Sequence, residues 1–210
     1  MRAVTVIVAV ALLAGVGCDT VIPGKAVPGA LATPGHGGPV QLRFRSVIQQ
    51  VATGPSDPST ANGDKTARQS TDTTMQQNAL NNLNCLTGAK DPLIDQDDPS
   101  LPLVACAEDD GQKFILGPVI LDGHQVASAT AGRNPNGTDY VVNLTFTSAG
   151  AATWADYTAT HVGDSVAVVL NTAVVSAETI QEAIPGGNTQ ISGDFTQAQA
   201  EHLARELRGG

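Results

Sequence analysis

Aromatic side chains are scarce in this sequence of 210 residues, which contains four Phe, two Tyr and one Trp. The hydrophobic core must therefore be built mainly from Val, Leu, Ile and Ala, since the apolar fraction is an ordinary 41%. Basic residues are also few, with 11 Lys and Arg against 20 Asp and Glu and a formal net charge of −9. A chain this acidic repels phosphate backbones, so nucleic acid is not an expected partner.

The sequence has one long hydrophobic run, and it lies at the N-terminus. It comprises the 14 residues from Ala3 to Val16, which are apolar apart from Thr5 and are preceded by Arg2. A helix that spans a bilayer needs roughly 20 apolar residues. One positive charge, a short apolar run and small residues at its end are typical of a secretory signal peptide, which we predict for residues 1–17. A buried core helix is the alternative, but the run has no polar face at helical spacing.

The apolar run ends at Gly17 and Cys18, and this junction resembles the lipobox of bacterial lipoproteins. In that family the cysteine is diacylated and becomes the first residue of the mature protein. The resemblance predicts lipidation of Cys18, although Gly15 stands where leucine is usual, and a simple secreted protein is the alternative. Four Pro and five Gly follow within residues 19–39. We therefore predict a lipidated, flexible tether over residues 18–39 and one domain over residues 40–210.

The sequence contains only three cysteines. Without Cys18, the remaining two are Cys85 and Cys106, and an even number in an oxidising compartment predicts a disulfide between them. Two free buried thiols are the alternative. A zinc site is not expected, because the sequence has no Cys-x-x-Cys pair and His124 is the nearest histidine.

No motif predicts catalysis or the binding of a cofactor. Gly-Asp-Ser at 163–165 resembles the nucleophile block of a lipase–esterase class, but it follows a predicted helix and opens a strand, which favours a turn. The Gly-rich stretch 185–189 lacks the Lys-Ser/Thr pair of a phosphate-binding loop and predicts a tight turn. The acidic stretch 95–99 lacks EF-hand spacing, which favours a solvated acidic loop over a calcium site. Histidines 36, 124, 161 and 202 form no metal-ligand pair. Taken together, these patterns predict no catalytic, cofactor-binding or metal-binding residue.

Hydrophobic periodicity predicts strands and helices in irregular alternation. Single strands are predicted at 40–51, 124–133, 138–146 and 188–193. Residues 113–123 are predicted as a strand, a turn and a short strand, and residues 164–177 as a hairpin that turns at Asn171-Thr172. Helices are predicted over 73–84, from 147 or 148 to 162, and from 196 onwards, with a mobile loop over 52–73 and an extended acidic segment over 91–110. The mixture lacks strict βαβ alternation and predicts an α+β fold, a mixed or antiparallel sheet packed with two to three helices.

Three longer stretches resemble a known family: PLIDQDDPSLPLVACAEDDGQKFILGPVILDG, VVNLTFTSAGAATWADYTA and AIPGGNTQISGDFTQAQAEHLARELRGG. They are similar to the first extracytoplasmic (P1) domain of SecD, a membrane subunit of the bacterial protein-export machinery. The similarity extends from Val40 to Gly210 and is greatest to SecD of actinobacteria, including the two later cysteines. It implies an α+β head lobe, which in the family contacts the exported chain as it leaves the channel.

The sequence departs from that family in lacking membrane helices and the intramembrane carboxylate that carries protons. We therefore expect a non-catalytic lipoprotein, anchored at the outer face of the cell membrane, that presents a SecD-like head. Its expected partners are unfolded secreted polypeptides, or Sec translocase and other envelope proteins, contacted through strand edges and the 52–73 loop. A structural or regulatory envelope protein is the alternative, and a hydrolase is disfavoured because no nucleophile, base and orienting residue stand out.

Overall fold

The computed structural model describes residues 41–53, 64–85, 91–108, 111–135 and 137–207. The predicted signal peptide, Cys18 and the tether lie outside the described residues. The elements in chain order are β1 Leu42–Ala52, α1 Lys65–Arg68, α2 Thr73–Asn82, β2 Leu103–Cys106, β3 Gln112–Asp122, a 3-10 helix Gly123–Gln125, β4 Val126–Arg133, β5 Tyr140–Phe146, α3 Ser148–Thr160, β6 Ser165–Leu170, β7 Ala173–Thr179, β8 Asn188–Phe195 and α4 Gln197–Glu206.

The strands form two sheets. The larger sheet has the order β2-β3-β1-β6-β7 and the smaller one the order β4-β5-β8. All ladders between named strands are antiparallel. Four helices accompany these sheets within the described residues. The prediction of an α+β fold with an antiparallel sheet is confirmed.

The larger sheet is curled, so its two outer strands meet. Ala107, directly after β2, forms a parallel bridge with Val174 of β7. The N–H of Glu108 donates to the carbonyl of Val174 at 2.9 Å. Register irregularities in β1, between Phe44 and Gln49, supply the local bends that such a curl requires.

Three buried clusters hold the fold together. The largest lies between the two sheets and contains Trp154 of α3, which is packed against Phe44 and Phe146 at ring-centroid distances of 5.3 and 5.7 Å. The second is mainly aliphatic, with Phe114 as its aromatic member, and lies on the other face of β6. The third joins α2 to β2 and β3. All the aromatic residues except Phe114 therefore lie in or against the first cluster, where tilted ring pairs add about 0.5–1.5 kcal/mol each beyond burial.

Polar caps start the helices where the sequence places them. The carboxylate of Asp72 accepts from the N–H of Met75 at the start of α2. Thr196 and Gln199 form a capping box at the start of α4. The hydroxyl of Thr147 accepts from the N–H of Gly150 at the start of α3. Each such cap satisfies N–H groups that have no partner within the first helical turn.

The spacing of Met75, Ala79 and Leu83 predicts an apolar face for α2, and the apolar stripe predicted for α3 extends to Val162. Both predictions are partly wrong. In α2, Met75 is 41% exposed, whereas Gln76 is buried because its side-chain amide donates to the carbonyl of Ser70 at 2.8 Å. In α3, Val162 is 54% exposed because the helix ends at Thr160, two residues earlier. A periodic pattern cannot locate the end of a helix, which explains the error at Val162. It also takes no account of a side-chain hydrogen bond such as the one that holds Gln76 inside.

Two further predictions are corrected by the backbone. Residues 112–122 form the continuous strand β3 and not a strand, a turn and a short strand. Pro118 fits because it lies beyond the stretch that pairs with β2 and next to a register irregularity with β1. The predicted 52–73 loop contains the helix α1 at 65–68, while residues 54–63 lie outside the described residues.

Candidate functional site

A buried arginine fixes the acidic segment against the larger sheet. Arg45 of β1 is fully buried, and its guanidinium donates to the carbonyls of Leu101 and Gly117, each at 2.8 Å. It also donates to Oδ2 of Asp97 at 3.0 Å, and Arg43 forms an ion pair with the same oxygen. Burial lowers the pKa of Arg45 to about 10, which still leaves it charged at neutral pH. The prediction of a solvated loop over 95–99 is therefore wrong for Asp97.

A second arginine connects three separate parts of the chain. Arg68 of α1 binds both carboxylate oxygens of Asp91, at 2.7 and 2.8 Å, and its Nε donates to the carbonyl of Val104 in β2 at 2.8 Å. The hydroxyl of Thr172, in the β6–β7 turn, donates to Asp91 at 2.8 Å. Burial by itself raises the pKa of Asp91, but the hydrogen bonds and charge of Arg68 outweigh it and lower the pKa. This network holds α1 and the β6–β7 turn to the edge of β2.

The same edge is tied covalently to α2. Cys85 and Cys106 form a disulfide, with their Cα atoms 5.6 Å apart. Cys85 is buried beside Leu80, Leu83 and Val104 in the third hydrophobic cluster. The bond therefore fastens the segment after α2 to the last residue of β2.

A buried carboxyl group lies where the two sheets meet. Glu178 of β7 is 4% exposed, and neither of its oxygens has a hydrogen-bond partner among the described residues. Nε1 of Trp154 and Oε1 of Gln190 are likewise buried and without a partner. These three residues line one cavity, with about 10 Å³ available to the centre of a water molecule, which is room for about one water. The other lining residues are Phe44, Val166, Val168, Thr189 and Ile191.

Burial raises the pKa of Glu178 to about 9, so this carboxyl group is neutral at pH 7. A neutral carboxyl is both a donor and an acceptor, and it lines the same cavity as an indole donor and an amide acceptor. The cavity is therefore a polar site inside an apolar core.

The strand edges predicted as contact surfaces differ in how far they are covered. On the edge of β2, the carbonyl of Val104 accepts a hydrogen bond from Arg68. The edge of β7 is bridged by Ala107 and by the N–H of Glu108. Strand β4 pairs with β5 alone. Large apolar side chains that are exposed in the described part of the chain are Ile48, Met75 and Val162.

The residues weighed for catalysis are engaged in local contacts. Gly163 has φ +94° and forms a turn before Ser165, whose Oγ lies 3.2 Å from Oγ1 of Thr179. His161 stacks on Tyr157 with ring centroids 4.0 Å apart, and Nε2 of His202 is 3.9 Å from Glu206. Within the described ranges, no three His, Cys, Asp or Glu side chains are grouped so as to hold a metal ion. The Gly-rich stretch 185–189 turns at Gly187, with φ +69°.

The sequence did not single out the buried charges, although it contained a partial signal for them. Arg43 and Arg45 alternate with Leu42 and Phe44 in β1, and this pattern alone suggests an exposed basic face. Glu178 follows a run of small and apolar residues in β7, which is a position where a carboxylate is unusual. None of the helices in the described ranges is long and apolar enough to cross a bilayer.

The comparisons with known proteins agree on one family. The model of the family described as SecDF, P1 head subdomain, matches residues 102–210, just over half of the chain. Protein translocase subunit SecD of Mycobacterium tuberculosis (strain H37Rv) is 47% identical over 150 residues, which cover 70% of this chain and 26% of that protein. SecD of Streptomyces coelicolor is 35% identical over 121 residues, which cover 53% of this chain and 21% of that protein.

A solved structure of SecDF, described as a membrane component that enhances protein export, is 26% identical with a TM-score of 0.49, and the match covers 83% of this chain and 64% of that one. The chain thus spans about a quarter of the length of the curated relatives that it matches. Because the family model covers more than half of the residues, including strands β2 to β8 and helices α3 and α4, the chain belongs to the SecDF P1 head family.

Proposed function

We propose that this chain is an extracytoplasmic lipoprotein whose SecD-like head binds segments of unfolded secreted polypeptides and assists their export. The observation that carries this proposal is membership of the SecDF P1 head family. The related SecDF is described as enhancing protein export. The binding role requires no bond making or breaking, only a surface that an extended chain can contact.

The proposed organisation has three parts: a signal peptide over residues 1–17, a lipidated tether over 18–39 and the head over 40–210. It is supported by the short apolar run that ends at Cys18 and by the density of Pro and Gly after it. Several acyl chains on one cysteine would hold the head at the membrane, because each buried methylene contributes about 0.8 kcal/mol. Fully stretched, the 21 residues from 19 to 39 would let the head reach about 70 Å from the membrane.

A second candidate is that the head binds subunits of the Sec translocase and not their cargo. The acidic character of this chain favours the second candidate, since a net charge of −9 is electrostatically complementary to a basic surface on a partner protein. Both candidates place the head at the same membrane face, so they differ only in the identity of the bound chain.

Mass spectrometry of the protein isolated from its own cells tests the anchor. We expect a chain that starts at Cys18 and carries acyl groups, and a Cys18→Ser variant that is neither acylated nor retained by membranes. An unacylated chain that still begins at Met1 would contradict the proposal.

Photo-crosslinking tests the partner. A photoreactive amino acid at Ile48, which is 60% exposed, and at Thr130, which is exposed on β4, should capture secreted polypeptides during export. The same probe at the buried position Leu116 is the matched control. Capture of translocase subunits alone would favour the second candidate, and capture of neither would refute both.

A further inference from the structure

Strand β4 presents a regular and unpaired edge. Six consecutive residues, Ser128 to Arg133, pair with β5 from Thr145 back to Tyr140 without a register irregularity. On its other side β4 has no ladder partner among the described residues. In an antiparallel strand, alternate residues direct their N–H and C=O groups to opposite sides. Every second residue of this stretch therefore has a backbone donor and acceptor that no strand ladder of the described fold satisfies.

The other edges of the described fold are less available. Arg68 occupies the carbonyl of Val104 on β2, and residues 107 and 108 contact β7. The part of β1 beyond Ser46 also lacks a partner on one side, but register irregularities interrupt its ladder with β3. Such bulges twist an edge away from pairing. Strand β8 faces β7 across the cavity that contains Glu178.

The sequence of β4 lacks the usual means of blocking an edge. Residues 126–133 read VASATAGR, with no Pro, Lys, Asp or Glu, and Arg133 is at the very end. Natural proteins protect edges with those residues or with a covering segment. The side chains are small, and the exposed Ser128 and Thr130 pair with Thr145 and Asn143 of β5. The surface beside the edge is therefore polar and uncharged.

We infer that the free edge of β4 is where the head receives its ligand, and that the ligand is an extended polypeptide segment added as a further strand of the smaller sheet. This inference rests on the proposed function and assigns it a surface. A strand held by backbone hydrogen bonds is recognised with little regard to its sequence, because every residue type except proline supplies the same groups. Small neutral side chains on β4 leave room for the varied side chains of the added segment.

Charge decides between a foreign segment and a second copy of this chain. Two copies would each bring a net charge of −9 to the contact and repel one another. A neutral or basic segment meets no such repulsion, since the β4 edge contains no acidic residue and ends at Arg133. The occupant is thus a neutral or basic extended segment of another protein.

Hydrogen exchange measured by mass spectrometry tests the location. The full protein is incubated with reduced and carbamidomethylated ribonuclease A, a basic chain that cannot refold. Slower exchange in residues 127–133, with little change in β2 and β7, supports the inference. Binding with protection only elsewhere overturns this inference and leaves the proposed function standing. Absence of binding overturns both the inference and the proposed function. If exchange in residues 127–133 slows as the concentration of this protein rises, with no ribonuclease chain present, the edge pairs with a second copy and the inference is overturned.

Two proline variants test the role of the backbone. Of the neighbours Thr130 and Ala131, one directs its N–H towards β5 and the other directs it outwards. Thr130→Pro and Ala131→Pro are compared by their melting temperatures. The variant that melts at the wild-type temperature is the one that has lost only an outward N–H donor. That variant should bind the ribonuclease chain about tenfold more weakly. Unchanged affinity overturns the inference, and if both variants melt early the exchange data decide.

Discussion

Replacement of Glu178 by Gln should stabilise the protein increasingly as the pH rises. The carboxyl group is buried between Trp154 and Gln190, and burial raises its pKa from the ordinary 4.5 to about 9. The unfolded chain therefore releases this proton near pH 4.5, whereas the folded chain keeps it until about pH 9. Stability from this group is complete below pH 4.5 and is lost progressively up to pH 9.

The magnitude follows from the width of that window. Each pH unit within it costs about 1.4 kcal/mol of unfolding free energy, so Glu178 removes about 4 kcal/mol between pH 5 and pH 8. Gln has nearly the same shape and never ionises. The difference in unfolding free energy between Glu178→Gln and the wild type should therefore grow in favour of the variant by about 1.4 kcal/mol per pH unit.

Urea denaturation followed by circular dichroism at pH 5, 6, 7 and 8 measures this difference. Groups that titrate identically in both proteins cancel in the comparison. Glu182→Gln is the matched control, because Glu182 is exposed and close in sequence, and its difference from the wild type should not grow in this way. A difference that stays constant with pH for Glu178→Gln would show that the carboxylate is ionised in the folded protein and would refute the reasoning.

Three further results are expected. The double variant Cys85→Ser, Cys106→Ser should lose about 3 kcal/mol of unfolding free energy in urea titrations, and a reductant should not lower it further; equal stability of variant and wild type would contradict this. Asp97→Asn leaves a buried arginine without its counter-ion and should cost about 3–5 kcal/mol by the same measurement, whereas Asp95→Asn, exposed and at φ +62°, should change little. In Asp91→Asn, the free energy of unfolding should fall less steeply below about pH 4 than in the wild type, because the lowered pKa of Asp91 makes its protonation destabilising. An acid-unfolding midpoint equal to that of the wild type would argue against the pairing with Arg68.

Local patterns in the sequence predicted most of the elements, since their causes are local. The alternation of Val142, Leu144 and Phe146 indicates β5, and Thr196 with Gln199 indicates the start of α4. Asn171 takes φ +58° in the hairpin turn predicted there. Caps, turns and period-two alternation act over a few residues, so they can be recognised without knowledge of the fold.

The arrangement of charges could not be predicted, because it depends on contacts between residues far apart in sequence. Arg45 is 52 positions from Asp97, and Thr172 is 81 positions from Asp91. Nothing in the acidic stretch 95–99 distinguishes Asp97, which is buried, from Asp98, which is exposed. The open edge of β4 is likewise visible only once the order of the strands is known.

The bond between Cys85 and Cys106 has a consequence for when the head becomes rigid. On the proposed route the chain is made in the reducing cytoplasm, where both thiols would stay free and the fold would lack the roughly 3 kcal/mol that the bond contributes. A precursor that folds weakly remains easy to thread through a narrow channel. On the proposed route the oxidising space outside then completes the structure, so the compartment itself acts as the signal that locks the mature shape.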